Sequence, residues 1–170
     1  MPMKKFWNIP ASPVFALLTQ DPDHLWNYNC CTYVVPVGLT PKHYLTAVYR
    51  GSKTLQNLLL NPHQKAVLHL LAPEQARLIR ILGQRSGHDL SKFKRLHERG
   101  EISEWQGYPV LRRSAAWALM HSEGPLSPDL NPPSTSEPDH RLWLWRLETT
   151  RIQSEEYLHN HHLKALGIIR

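Results

Sequence analysis

Cysteine is almost missing from this chain, and the two that occur in 170 residues, Cys30 and Cys31, are neighbours. A bridge between adjacent cysteines closes no useful loop and strains the peptide that joins them, so both are read as reduced thiols and a disulfide framework is excluded. No apolar run approaches the roughly 18 residues that a helix needs to cross a bilayer. The first residues, Met1 to Trp7, begin with charge, but Asn8, Pro10 and Ser12 come next in place of a continuous apolar core. A secretory signal is therefore not expected, and the expectation is a soluble, cytoplasmic protein. Acidic residues are outnumbered, 14 against 20 lysines and arginines, which leaves a net charge of +6 and a pI near 9.5. Those cations are scattered from Lys4 to Arg170, with a modest concentration between Arg77 and Arg99 and a single adjacent arginine pair, Arg112-Arg113. A basic stripe interleaved with aromatics is lacking, so a nucleic-acid partner is not expected. Motifs of hydrolytic and nucleotide-binding chemistry are lacking too: no G-x-S-x-G, no H-E-x-x-H, no Walker loop, no G-x-G-x-x-G and no convincing Ser/His/Asp set.

What is present is a globular composition, 41% hydrophobic and 20% charged. The length predicts one domain, 1–170, able to bury about 68–70% of its unfolded surface without staples. Short apolar runs rich in β-branched and aromatic residues predict strands at Val14–Thr19, Cys30–Val37, Tyr44–Tyr49, Ala66–Leu71, Ser114–Met120 and Arg141–Leu147. Leu142 and Leu144 share one face of the last run, and Trp143, Trp145 and Leu147 the other. A strand apolar on both faces belongs in a sheet covered on both sides, by helices or by a partner subunit. Ser52 stands at a helix start, with Leu55, Leu58 and Leu59 at helical spacing and Asn61-Pro62 as a stop. Pro73 opens a second helix that Gly83 ends, and Asp89 is expected to cap a third ending at Gly100. Ser122–Pro138 carries too much proline and serine for either element and is read as a lid or clasping loop, or as a disordered one. Strands, an inserted helical section and further strands predict a mostly antiparallel β fold with peripheral helices.

The most informative stretch for chemistry is Arg50-Gly51-Ser52-Lys53-Thr54, between a strand and a helix. A helix start offers free N–H groups and the positive end of the dipole, and here two cations and two hydroxyls flank it, so an anion such as a cofactor phosphate is a natural occupant. The plainer alternative is that Ser52 only caps the helix and that Arg50 and Lys53 are solvated. His159, His161 and His162 are close in sequence, but their spacing offers no i, i+4 pair and no cysteine joins them, so no metal site is expected. Cys30 and Cys31 lie outside any C-x-x-C motif and are read as small residues beside a ligand. Trp143 and Trp145 are read as packing residues.

Three blocks carry a resemblance to a known family. They are Pro13–Thr19 (PVFALLT) with Asn27–Pro36 (NYNCCTYVVP), then Tyr44–Leu58 (YLTAVYRGSKTLQNL), then Ser86–Phe93 (SGHDLSKF). In order and spacing the chain resembles the flavin reductase-like family of FMN-binding split β-barrels over about residues 10–100. The resemblance implies an antiparallel, Greek-key-like split barrel, a homodimer, and FMN as cofactor with NAD(P)H as a possible reductant. It places Asn29, Cys30, Cys31 and Thr32 beside the isoalloxazine, Arg50, Ser52, Lys53 and Thr54 on the phosphate, and Ser86, Gly87 and His88 at the closing edge of the site. The chain departs from the family in its two cysteines, where relatives carry small hydroxylated residues, and in Pro41-Lys42-His43, where many have Pro-Pro. Flavin performs the redox chemistry itself, so a lack of nucleophiles and acid/base pairs is consistent with such a site. The resemblance implies an oxidoreductase, with a non-catalytic FMN-binding electron carrier as the alternative and a basic nucleic-acid-binding barrel as a third reading.

Overall fold

The computed structural model describes residues 10–89, 91–126 and 138–169. Nine strands and four α-helices follow one another in the order β1 (Phe15–Gln20), β2 (Trp26–Cys31), β3 (Val34–Leu39), β4 (Lys42–Tyr49), α1 (Lys53–Leu60), β5 (Lys65–Leu70), α2 (Ile79–Leu82), α3 (Lys92–Glu98), β6 (Ile102–Trp105), β7 (Tyr108–Leu111), β8 (Ala116–Pro125), β9 (His140–Ile152) and α4 (Asn160–Ala165). Seven strands form one antiparallel sheet in the order β2-β1-β5-β8-β9-β4-β3, and β6 and β7 form a separate hairpin. No helix among the described residues is long and apolar enough to cross a membrane. The expected fold class is thus observed in its coarse form, mostly antiparallel β with few helices. β2 and β3 are the two edges, and no ladder joins them among the described residues.

Strand alternation builds two cores from the same strands, because successive side chains point to opposite faces. On one face Ala16, Leu18, Val67, Trp117 and Leu119 pack under the helical section, the β6–β7 hairpin and α4. On the other, Leu17, Ala66, Leu68, Met120, Trp143 and Trp145 meet Leu55 and Leu58 of α1. The two tryptophans are fully buried, and each finds a partner for its indole N–H: Trp143 donates to Ser122 Oγ at 2.7 Å and Trp145 to Thr46 Oγ1 at 2.9 Å. Their reading as packing residues holds.

The helix start at Ser52 and its stop at Asn61 also hold. Other boundaries differ, for physical reasons. Cys30–Val37 is two strands, not one: Cys31 pairs with Phe15 while Val34 pairs with Thr46, so the chain leaves one edge of the sheet and joins the other between them. The segment opened by Pro73 runs first as a 3-10 turn, Pro73–Leu78, before α2. Ser91, not Asp89, caps α3, its Oγ accepting from Lys94 N–H at 3.3 Å. β8 continues through Pro125, so the start of the expected Ser122–Pro138 loop is strand, and residues 127–137 lie outside the described residues. In β9 the Trp143 face is closed, but Leu142 on the opposite face is 38% exposed, so the second apolar face is open on this chain.

Two elements escaped the sequence pattern. The β6–β7 hairpin turns through Gln106 (φ 54) and Gly107 (φ 78), the left-handed pair that a two-residue hairpin requires. α4 follows His159, which gives it no side-chain cap of the usual kind.

Candidate functional site

The anion-site candidate rests on how α1 is mounted. Ser52 is extended (φ −88, ψ 146), and its hydroxyl accepts from Leu55 N–H at 3.1 Å and donates to the Tyr49 carbonyl at 2.7 Å. Behind it, Thr54 is fully buried, and its Oγ1 accepts from Asn27 Nδ2 at 3.1 Å. One turn on, Asn57 donates to Thr19 Oγ1 at 3.1 Å, and Gln64 returns to the Asn57 carbonyl at 3.1 Å while its Oε1 accepts from Gln20 N–H at 2.9 Å. These amide and hydroxyl pairs pin α1 against the ends of β1 and β2, and of the side-chain polar atoms in this set only Asn57 Oδ1 is buried without a partner among the described residues.

In front of that mount lies a hollow of about 340 Å³ between the β1–β2 turn, the start of α1, the loop before α3, and α3 itself. Lys53, Gly87 and His88 line it, joined by Trp26, Lys92 and Phe93. Lys53 Nζ is 3.4 Å from Asp21 Oδ2 and donates to Gln56 Oε1 at 3.1 Å. Asp21 is itself fixed, since its Oδ1 accepts from Asp23 N–H at 3.0 Å and Leu25 N–H at 2.9 Å. Gly87 must be small here: a Cβ added to it would lie 2.3 Å from Asn27 Oδ1 and 3.0 Å from Lys53 Cβ. Lys92 is only 3% exposed and donates to the Leu82 carbonyl at 2.7 Å. Burial pushes its ammonium down to about 8, with the nearby Cys30 opposing the shift. The hollow thus holds two lysines and an imidazole near the N-terminus of an eight-residue helix, against the carboxylates of Asp21 and Asp89, with aromatic surface from Trp26 and Phe93. Such a set can bind an anionic group and pack an apolar ring beside it. None of the lining groups forms a nucleophile and base pair among the described residues.

The remaining sequence candidates lie around this hollow and do not line it. Arg50 donates its Nε to the Pro138 carbonyl at 2.7 Å. Ser86 accepts at Oγ from His88 N–H at 3.1 Å, which shapes the loop. Thr54, expected on the phosphate, has its hydroxyl oxygen turned inward to Asn27. Asn29, Cys30 and Cys31 continue along β2 opposite Leu17, Ala16 and Phe15, and Thr32 lies in the link to β3. Cys30 packs on the first core and Cys31 on the second, and burial is the main cause that raises both thiols, Cys30 to about 11. At neutral pH both are protonated, which is the opposite of an activated cysteine.

Sequence reasoning missed Asp21, Trp26, Asn27 and Lys92 as members of the site. Asn27 opened one of the resembling blocks and Lys92 stood in another, so the signal was present without a role attached to it.

A comparison with curated protein sequences gives no match. Solved structures share the fold. One is an FMN-binding protein from Thermus thermophilus with bound p-hydroxybenzaldehyde, at 14% identity and TM-score 0.69 over 91% of this chain and 79% of that one. Another is a flavoredoxin from Methanosarcina acetivorans, at 14% identity and TM-score 0.68 over 93% and 78%. A third is BorF, the flavin reductase component of a bacterial two-component tryptophan halogenase, at 16% identity and TM-score 0.67 over 86% and 82%. The sequence model described as flavin reductase like domain matches residues 10–167, nearly the whole chain, which supports a flavin-related function. The chain belongs to the flavin reductase-like domain family.

Proposed function

We propose that this protein is an FMN-binding oxidoreductase that takes its electrons from NAD(P)H. The observation that carries the reading is the position of Lys53: it stands at the N-terminus of α1 and lines the hollow with Gly87, His88 and Lys92. A phosphate fits there, because the positive end of the helix and the Lys53 ammonium stand where a glycine keeps the approach open, with the buried Lys92 adding positive charge against Asp21 and Asp89. Trp26 and Phe93 suit the apolar part of a flavin. Lys53 holds the phosphate in this reading, Arg50 adds charge from the preceding turn, Ser52, its hydroxyl committed to Leu55 and Tyr49, caps the helix start, and Thr54 sets the helix in place through Asn27. Ser86 shapes the Gly87-His88 edge, and Asn29 to Thr32 border the ring. Bound flavin supplies hydride and single-electron chemistry, and the protein supplies position and electrostatics. A related fold bears on the choice of reductant: the NADH:FAD oxidoreductase SgcE6 of Streptomyces globisporus was solved with NAD and FAD fragments.

The test is a titration of Lys53→Ala with FMN and with riboflavin, which lacks the phosphate. Loss of one charge-assisted contact weakens binding by about 1.5–3 kcal/mol, or roughly 10- to 150-fold. FMN affinity is expected to fall by that factor and riboflavin affinity much less. Equal losses for the two flavins, or none, would refute the phosphate assignment. Multiple turnover of NADH or NADPH with added FMN separates an enzyme from a carrier, which would be reduced once.

The same proposal includes a homodimer formed through the open face of β3, β4 and β9. Val35, Leu45 and Leu144 stand opposite one another across these strands, and Val35, Val37 and Leu39 are exposed. An apolar sheet face of this kind is the type of surface that a stable dimer interface buries.

A further inference from the structure

A second depression, of about 310 Å³, lies between the β7–β8 turn, the 3-10 turn after β5, and the chain leaving β9. It is at the other end of the sheet from the flavin hollow. Ala116 pairs there with Leu70 and Ile152, whereas the Gln20–Trp26 and Lys65–His121 pairs mark the opposite ends of the same strands. The only adjacent arginine pair of the sequence, Arg112-Arg113, lies on this depression, and so do Glu74 and Glu156.

Charges of both signs converge here without pairing. Among the described residues neither the Arg113 guanidinium nor the carboxylates of Glu74 and Glu156 have an ion-pair or hydrogen-bond partner. Arg112 is tethered at one nitrogen only, Nη2 donating to the Ile102 carbonyl at 3.3 Å. Beneath them Ser114 is 1% exposed, and its Oγ has no partner among the described residues, an arrangement that native interiors avoid. The surrounding frame is satisfied: Gln153 Nε2 donates to the Ser114 carbonyl at 2.7 Å, and Glu156 N–H donates to Ser154 Oγ at 3.0 Å. A fixed frame therefore presents two guanidinium groups, two carboxylates and an unsatisfied hydroxyl around one concavity.

We propose that this depression binds a small zwitterion of the α-amino-acid class. Its carboxylate lies on Arg112 and Arg113, in the planar donor geometry that guanidinium offers to carboxylate, and the Ser114 hydroxyl supports it from below. Its ammonium lies between Glu74 and Glu156. The rim is neutral in total, so a dianion such as phosphate gains from the arginines and loses to the glutamates, while a ligand carrying both charges gains at each end. The proposal is independent of the flavin reading, because the two hollows share no residue.

The experiment uses the full chain as purified, with its amide resonances followed during titration with glycine, L-leucine, acetate, methylammonium and inorganic phosphate. Glycine or L-leucine is expected to shift the amides of Arg113, Ser114, Ser154 and Glu156 saturably. Acetate and methylammonium are expected to bind roughly tenfold or more weakly, since each loses one charged contact. Arg113→Gln and Glu156→Gln, both exposed positions, are each expected to weaken the amino acid by a similar factor and to leave the FMN spectrum unchanged. Three outcomes would overturn the proposal: no saturable shift with either amino acid, acetate or phosphate binding as tightly as the amino acid, or undiminished binding in Arg113→Gln.

Discussion

Adding one methyl group at Gly87 tests how the site is held together. The new Cβ would fall 2.3 Å from Asn27 Oδ1, well inside contact distance, and 3.0 Å from Lys53 Cβ. Gly87 does not have a positive φ, so the cost is one of space and not of backbone strain. An exposed asparagine would swing its amide away at little cost. Asn27 cannot, because it is buried and its Nδ2 is bonded to Thr54 Oγ1. Relief requires either breaking that bond, at about 1–3 kcal/mol, or overpacking the loop against β2, at a similar ~1–3 kcal/mol. Gly87→Ala is therefore expected to destabilise the fold by about 2 kcal/mol, or roughly 4–8 °C in melting temperature for a chain of this size. A double-mutant cycle in urea isolates the cause. In an Asn27→Ala background the obstructing amide is gone, so adding Gly87→Ala should cost less than about 0.5 kcal/mol, with the difference appearing as coupling. Strictly additive costs, or a Gly87→Ala variant as stable as the parent, would refute the account of Gly87 as packed on a pinned amide.

Further expectations concern other parts of the molecule. His69 is fully buried, its Nδ1 donating to the Ala16 carbonyl at 3.0 Å, and burial pushes its imidazole down to about 4. Between about pH 6.5 and 4 the unfolded chain then binds the proton that the folded protein refuses, so stability falls as pH falls through that window, by about 3 kcal/mol in all. Urea melts of the parent and His69→Phe at pH 7 and pH 4.5 should show the variant losing this share of the slope, and parallel slopes would refute it. Thr54→Val removes the acceptor of the Asn27 amide and should lower stability by about 1–3 kcal/mol while weakening FMN and riboflavin equally. A loss selective for FMN would make Thr54 a phosphate ligand after all. Light scattering at micromolar concentration should give twice the chain mass of 19.7 kDa for the parent and the single mass for Leu144→Arg. A parent mass near 19.7 kDa would refute the dimer.

Local signals in the sequence located what local interactions build. α1 was legible because its cap, its apolar spacing and its proline stop all lie within Ser52–Pro62. The break between β2 and β3 was not, since alternation and β-branching report that a segment is extended and say nothing of which strand it pairs with. The β6–β7 hairpin was hidden by Gln106-Gly107, a weaker turn pair than Asn-Gly. Lys53, Gly87 and His88, expected from the helix start and the resemblance, line one hollow. Lys92 could not be given a role, because a lysine beside a serine on a short helix reads as solvated, and only the carbonyl of Leu82, ten residues back in the chain, shows otherwise. Thr54 illustrates the reverse: a hydroxyl beside an anion-site candidate invites a ligand role, while the asparagine that claims it comes from a different strand.

The seating of α1 separates two properties that often change together. Thr54 and Asn57 face the sheet and are locked to Asn27 and Thr19, whereas Lys53, between Ser52 and Thr54, turns outward. If the hollow holds an anion as proposed, position 53 can be exchanged to raise or lower its affinity without re-seating the helix, and positions 54 and 57 cannot be exchanged without moving it. Facing the hollow and seating the helix are tasks assigned to adjacent residues that point in opposite directions.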